Sequence, residues 1–218
     1  MADAKIVLAS HNKGKLKELR EILRGRIDGL DVDTQVVDAS SVNAPDVPET
    51  GVTFAENSLL KARAVAEATG LVAIADDSGL SVDVLNGAPG IFSARWAGSH
   101  GDDTANLNLL LAQLSDISAE NRGAKFCCAA SVASPNGFEA VEYGELPGEL
   151  LTAPAGEGGF GYDPILRPVE LNGENALYEG QYAGKSCAEI PAEIKNSISH
   201  RARAFEALIP QIAAALAS

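Results

Sequence analysis

The sequence predicts an α/β protein, and three observations carry that prediction. In the first half, short apolar runs alternate with segments of helical spacing, at residues 5–9, 15–23, 54–69 and 71–75. In the second half, residues 125–133 and 138–146 read as strands around Ser134-Pro135-Asn136-Gly137. Asn-Gly between two such runs marks a hairpin, so this half opens with antiparallel strands. The 218 residues suffice for one large domain, or for two lobes around one sheet.

Composition excludes several function classes. A hydrophobic content of 46% and a charged content of 22% are ordinary for a globular protein. The formal net charge of -13 argues against a nucleic-acid polymer as partner. It does not argue against a nucleotide enzyme, which needs only a local cluster of Lys and Arg. Cys127, Cys128 and Cys187 are too few and too scattered for a disulfide framework, which points to a reducing, cytoplasmic setting. The N-terminus enters a strand without a signal-peptide pattern, and no stretch reads as a membrane span.

After the first strand, Ser10-His11-Asn12-Lys13-Gly14 reads as a turn, and a helix follows over residues 15–23. Lys13, Lys15 and Lys17 crowd the positive end of that helix, an arrangement a bound anion would stabilise. A solvated basic face explains the same lysines. No G-x-x-x-x-G-K-[ST] loop is present. Residues 30–37 read as a second strand, and Pro45 and Pro48 keep residues 40–48 irregular. Thr53 with Glu56 forms a capping box for a helix from Phe54 to about Thr69, ended by Gly70. Asn57 and Lys61, four apart, share a face of it. Glu49, just ahead, is free to reach a metal. A turn role for Glu49 and solvation of Lys61 are the plainer readings.

The strand at 71–75 runs into Asp76-Asp77-Ser78-Gly79. Two carboxylates at a strand end can hold a hard cation, and one of them can act as a base toward water. Asp-Asp-Ser-Gly is also good turn chemistry. Residues 80–84 alternate like another strand. Residues 91–96 carry large apolar groups, suited to a partner contact or to core. Residues 103–114 form a helix capped by Asp102 or Asp103. Four glycines surround Phe160 and Tyr162 within residues 156–164, where backbone can approach a ligand and aromatic rings can stack on a base. Core aromatics in a turn fit equally. Residues 168–190 read as a surface excursion. A last helix over about 192–217 carries Lys195, His200 and Arg201 near its start.

Six motifs in this order resemble one family: Ser-His-Asn-Lys-Gly-Lys, Glu-Thr-Gly, Asn-x-x-x-Lys, Ala-Asp-Asp-Ser-Gly-Leu, Gly-Gly-Phe-Gly-Tyr-Asp-Pro and Ser-His-Arg. Together they are similar to the inosine triphosphate pyrophosphatases, over nearly the whole chain. The turn has His11 where many relatives carry Gly. The resemblance implies a single pyrophosphatase domain over residues 1–218. In it a long, bent central mixed sheet is flanked by helices, and two lobes hold the active-site cleft between them. It implies a homodimer that hydrolyses ITP, dITP and XTP to the monophosphate and pyrophosphate with Mg2+, clearing them from the nucleotide pool. It implies that Ser10, His11, Asn12, Lys13, Gly14, Lys15 and Lys61 hold the triphosphate, and that Glu49 and Asp77 hold the metal. Asp77 is then the catalytic base and Ser78 touches substrate. Phe160, Gly161, Tyr162 and Asp163 wall the base, and Lys195, His200 and Arg201 close the site.

The chemistry agrees with that placement. Water attacking the α-phosphorus needs a cation across the phosphates, positive charge for the leaving group and a base. Hypoxanthine and xanthine present a 6-oxygen acceptor, which donors such as His200 and Arg201 would pair with and which adenine lacks. A pyrophosphatase for modified pyrimidines or for dTTP and UTP would use the same phosphate groups. A non-catalytic nucleotide sensor would not need Asp77, Glu49 and Lys61 intact.

Overall fold

The computed structural model describes residues 3–171, 174–175 and 180–218. Six strands form a mixed sheet in the order β2-β1-β3-β4-β5-β6. They are β1 (Ile6–Leu8), β2 (Val36–Asp38), β3 (Val72–Val82), β4 (Gly123–Ala133), β5 (Glu139–Leu150) and β6 (Leu166–Pro168). β1 pairs in parallel with both β2 and β3, whereas β5 and β6 are antiparallel. A separate two-residue pair joins Glu170–Leu171 to Glu174–Asn175. The helices are α1 (Lys13–Leu23), α2 (Val32–Gln35), α3 (Phe54–Thr69), α4 (Asp103–Gln113), α5 (Ala192–Ile198) and α6 (His200–Ala217). None among the described residues is long and apolar enough to cross a membrane.

Contacts divide the chain into two compact units. The first is Met1–Asp77, Cys128–Gly144 and Arg201–Ser218; the second is Ser78–Cys127 and Glu145–His200. In the first unit, strand alternation sorts side chains to two faces. Ile6, Leu8, Val72 and Ile74 pack with Leu19 and Leu23 of α1 and with Phe205, Leu208 and Ile212 of α6. Val7, Ala73 and Ala75 pack with Ala62, Val65 and Ala66 of α3. Small residues let α3 approach closely enough for the Ser58 hydroxyl to donate to the Ala75 carbonyl at 3.1 Å.

In the second unit, Leu80, Val82, Phe126, Leu146 and Leu150 meet Leu107, Leu110 and Leu114 of α4. Buried Arg122 ties this unit together. Its guanidinium donates to the carbonyls of Leu150 at 3.0 Å, Leu114 at 2.7 Å and Leu151 at 2.9 Å.

Local signals place several elements as expected. α3 starts at Thr53, whose hydroxyl accepts the Glu56 N–H at 3.1 Å, and it ends at Gly70 in the left-handed region with φ 68. The Glu56 carboxylate reaches back one residue further than a capping box would place it, to the Val52 N–H at 2.7 Å. Asp102 caps α4, and the hairpin forms from β4 and β5.

Other expectations are corrected. Residues 30–37 are not one strand. Asp31 caps the short helix α2 by accepting the Asp33 N–H at 3.1 Å and the Thr34 hydroxyl at 2.8 Å, and only Val36–Asp38 is left for the sheet. α1 begins at Lys13 rather than 15, because Asn12 is its cap. The last helix breaks at Ser199, whose ψ of 152 is extended, and α6 then runs on through Pro210. The excursion expected at 168–190 includes residues 172–173 and 176–179, which lie outside the described residues. Its end is not surface, since Ser186, Cys187, Ala188 and Ile190 are buried. Residues 90–95 form a 3-10 turn that buries Ser93 and leaves Phe92 49% exposed.

Replacing Arg122 by Met should lower stability by about 2–4 kcal/mol, since buried carbonyls left without a donor cost about 1–3 kcal/mol each. Denaturant unfolding reads this directly, and a loss under about 0.5 kcal/mol would contradict the role given to Arg122.

Candidate functional site

The turn after β1 is organised by Asn12. Its Oδ1 accepts the N–H of Gly14 at 2.8 Å and of Lys15 at 3.2 Å, while its own N–H donates to the Ser10 hydroxyl at 3.2 Å. Two of the amides that a bare helix N-terminus would offer an anion are therefore already engaged. The first turn of α1 carries no acidic residue. Lys13 is exposed there. His11 does not present a free donor: its Nδ1 meets the Ser40 hydroxyl and its Nε2 the Asp46 carboxylate, each at 2.9 Å. It anchors the turn to the segment after β2.

Asp76 and Asp77 do not form a turn, because β3 continues through them to Val82. Adjacent strand residues point to opposite faces, and the two carboxylates accept different hydrogen bonds. Buried Asp76 shares the face of Val72 and Ile74. The Lys15 ammonium donates to both its oxygens, at 3.0 and 2.8 Å, and Arg201 Nε donates at 3.1 Å. Arg201 also stands 3.7 Å from Glu18. Burial alone would raise the Asp76 pKa. The charges of Lys15 and Arg201, with the Lys15 hydrogen bond, outweigh it and hold the carboxyl well below its ordinary range. The stability this pairing contributes is intact above the ordinary value of 3.8 and is lost only as pH falls through the lowered one.

Asp77 shares the face of Ala73 and Ala75, toward α3. Asn57, four residues before Lys61, donates from Nδ2 to Asp77 Oδ2 at 3.0 Å, while its Oδ1 accepts the Gly51 N–H at 2.8 Å. A Cβ on Gly51 would stand 2.8 Å from that Oδ1, so only glycine permits this approach. Lys61 and Glu49 pair at 2.6 Å. Burial pushes the Asp77 carboxyl above its ordinary range. Glu49 and Asp76 push it the same way, against Lys61 and the Asn57 hydrogen bond.

Among the described residues no three or more His, Cys, Asp or Glu gather into a metal cage. A cage is not what Mg2+ needs, since it is held by one or two carboxylates plus substrate phosphates and waters. The donors fit that ion: Asp77 and Glu49 offer hard oxygens, and a cation would offset the burial and like charge that raise Asp77.

The second unit carries an aromatic set. Phe160 is 60% exposed, whereas Tyr162 is 5% exposed and donates its hydroxyl to the Ser93 carbonyl at 2.9 Å. Tyr162 is thus core rather than wall. Asp163 is also buried. It accepts from Lys195 Nζ at 2.7 Å and from the Phe160 N–H at 2.9 Å. Lys195 Nζ in turn lies 4.8 Å from the Phe160 ring centroid. His200 is buried and stacks on Phe126 with centroids 5.1 Å apart. Arg201, expected beside it as a donor to the base, donates to Asp76 and stands 3.7 Å from Glu18. Ser78 is half-buried. The sequence offered Asn57 only as a neighbour of Lys61 on one helix face, and Asp76 only as one of two adjacent carboxylates able to hold a cation. The Asn-x-x-x-Lys spacing signalled the first, whereas nothing local signalled the partners of the second.

Residues 6–211 match the model of the Ham1 family. The chain belongs to the Ham1 family. A dITP/XTP pyrophosphatase of Streptomyces coelicolor is 60% identical over 208 residues, covering 95% of this chain and 96% of that one. One from Nocardia farcinica is 47% identical and covers 98% and 97%. Among solved structures, a HAM1 protein from Coxiella burnetii superposes with a TM-score of 0.79 at 36% identity, over 96% of this chain and 98% of that one. The match to the Ham1 model spans every residue of the Asp76, Asp77 and Phe160 sets.

The two aspartates should separate on substitution. Asp76→Asn leaves buried Arg201 and half-buried Lys15 against a neutral group and should cost about 3–5 kcal/mol of stability. Asp77→Asn relieves charge crowding and should change stability by less than about 1 kcal/mol. Equal losses in denaturant unfolding would contradict the division.

Proposed function

We propose that this chain hydrolyses the non-standard purine nucleoside triphosphates ITP, dITP and XTP to the monophosphate and pyrophosphate, with Mg2+. The observation that carries this reading is Asp77: a half-buried carboxylate, raised above its ordinary range, set among Asn57, Lys61 and Glu49. Such a group suits a base that takes a proton from water.

In this reading water adds its oxygen to the α-phosphorus, the bond from that phosphorus to the bridging oxygen breaks, and pyrophosphate leaves. Asp77 accepts the proton of the attacking water, with its carboxylate oriented by Asn57. Lys61, paired with Glu49 at 2.6 Å, is the cation placed to turn to phosphate oxygens, and Glu49 with Asp77 would hold the metal ion. Lys13, exposed at the start of α1, meets the leaving group. Lys15 contributes its charge while holding Asp76. Bound Mg2+ would supply charge neutralisation on the phosphate oxygens.

The base half of the reading rests on Phe160 as a stacking face. Lys195, fixed by Asp163 beside that ring, is the donor best placed for a 6-oxygen acceptor. Adenine would set its amino group against the ammonium instead. The reading includes a homodimer, as the resemblance implies.

Pyrophosphate release from ITP, XTP, dTTP and ATP, with and without Mg2+, tests it. We expect turnover of ITP and XTP favoured by about 100-fold or more over ATP and dTTP, and lost on chelation. Comparable turnover of dTTP would replace this reading by a pyrimidine enzyme. Binding without release would replace it by a sensor.

A further inference from the structure

The loop that presents Phe160 is held in an unusual way. Its tip carries glycines in the left-handed region, Gly159 with φ 75 and Gly161 with φ 59. The ring is largely exposed, and its described side-chain contact is with the Lys195 ammonium 4.8 Å from its centroid. The backbone that carries the ring is held by hydrogen bonds to two carboxylates. Asp163 accepts the Phe160 N–H at 2.9 Å, and Asp103 accepts the next one, Gly161 N–H, at 2.8 Å. Asp163 belongs to the loop itself. Asp103 is 58 residues away, in the first turn of α4.

Asp103 is not needed as the cap of that helix. Asp102 does that work by accepting the Ala105 N–H at 3.0 Å. A Cβ on Gly161 would meet nothing within 4 Å, so that glycine answers to the backbone angle rather than to crowding. Gly158 N–H donates to Ala188 at 3.1 Å before the tip, and Tyr162 is locked to Ser93 after it. Within the tip, Asp103 is the one acceptor brought from another element among these described contacts.

We propose that Asp103 is a positioning residue for the base: by holding the Gly161 N–H it fixes the angle at which Phe160 faces the purine. The proposal rests on the reading of Phe160 as a stacking face. It makes α4 part of purine affinity, with no contact between Asp103 and substrate.

Steady-state kinetics with ITP on the full chain tests this, using Asp103→Ala, Asp103→Asn, Phe160→Ala and the Ala double variant. Pyrophosphate serves as an inhibitor that lacks a base. Asp103→Ala should raise KM about 3- to 10-fold with kcat within about twofold, the range for one charge-assisted bond at a solvated position. Asp103→Asn keeps an acceptor oxygen and should restore KM. Inhibition by pyrophosphate should not change. In the Phe160→Ala background Asp103→Ala should add nothing. If Asp103→Ala fails to fold, Asp103→Ser, too short to reach Gly161, takes its place. A raised KM in Phe160→Ala but not in the Asp103 variants overturns the positioning role alone. So do additive effects in the double variant, or weaker pyrophosphate inhibition in step with KM. An unchanged KM in Phe160→Ala takes down the stacking reading and this proposal with it.

Discussion

The first unit depends on one buried carboxylate. Asp76 sits mid-strand in β3, and its two oxygens take the ammonium of Lys15 from the first turn of α1 and the guanidinium of Arg201 from the first turn of α6. Glu18 beside Arg201 brings the four charges to neutrality. A buried charge is tolerated only when paired and hydrogen-bonded, and removing any one partner strands the others. The helix N-termini are the favourable place for a carboxylate, since their partial positive charge adds to that of the side chains. The same constraint that fixes α1 and α6 against β3 therefore also sets the turn at residues 10–15.

Strand alternation then decides the fate of the neighbouring residue. With Asp76 turned toward α1 and α6, Asp77 must turn toward α3, where Asn57, Lys61 and Glu49 stand. There it is half-buried, and burial with the charges of Glu49 and Asp76 outweighs Lys61 and the Asn57 hydrogen bond, the opposite of the balance at its neighbour. Two identical side chains in adjacent positions are pushed in opposite directions by their surroundings, Asp76 held low by paired cations and Asp77 raised by burial. In the second unit an analogous division separates Tyr162, buried and anchored to Ser93, from Phe160, exposed over Lys195.

What was legible in the sequence was written in short-range signals. Thr53, Glu56 and Gly70 bound α3, Asp102 bounds α4, and Asn136-Gly137 closes the hairpin, because caps and tight turns are satisfied within a few residues. The six motifs, read together, marked the family. The failures came where distant partners override local chemistry. Asp-Asp-Ser-Gly is a turn in isolation and a strand here, because Lys15, Asn57 and Arg201 satisfy its carboxylates from elsewhere in the chain. Sequence spacing does not bring His11 near Asp46, or Arg201 near Asp76 and Glu18. Asp31 with Thr34 reads as polar alternation in a strand and acts as a helix cap.

The measurement that bears most directly on this account is a carbon-13 titration of the two side-chain carboxyls, with and without Mg2+, assigned by Asp77→Asn. The account predicts that Asp76 stays ionised far below the usual range and does not respond to the metal. It predicts that Asp77 titrates above that range in the free protein and moves down when Mg2+ is added. Movement of Asp76 with Mg2+, or an Asp77 that titrates normally and ignores the ion, would contradict it.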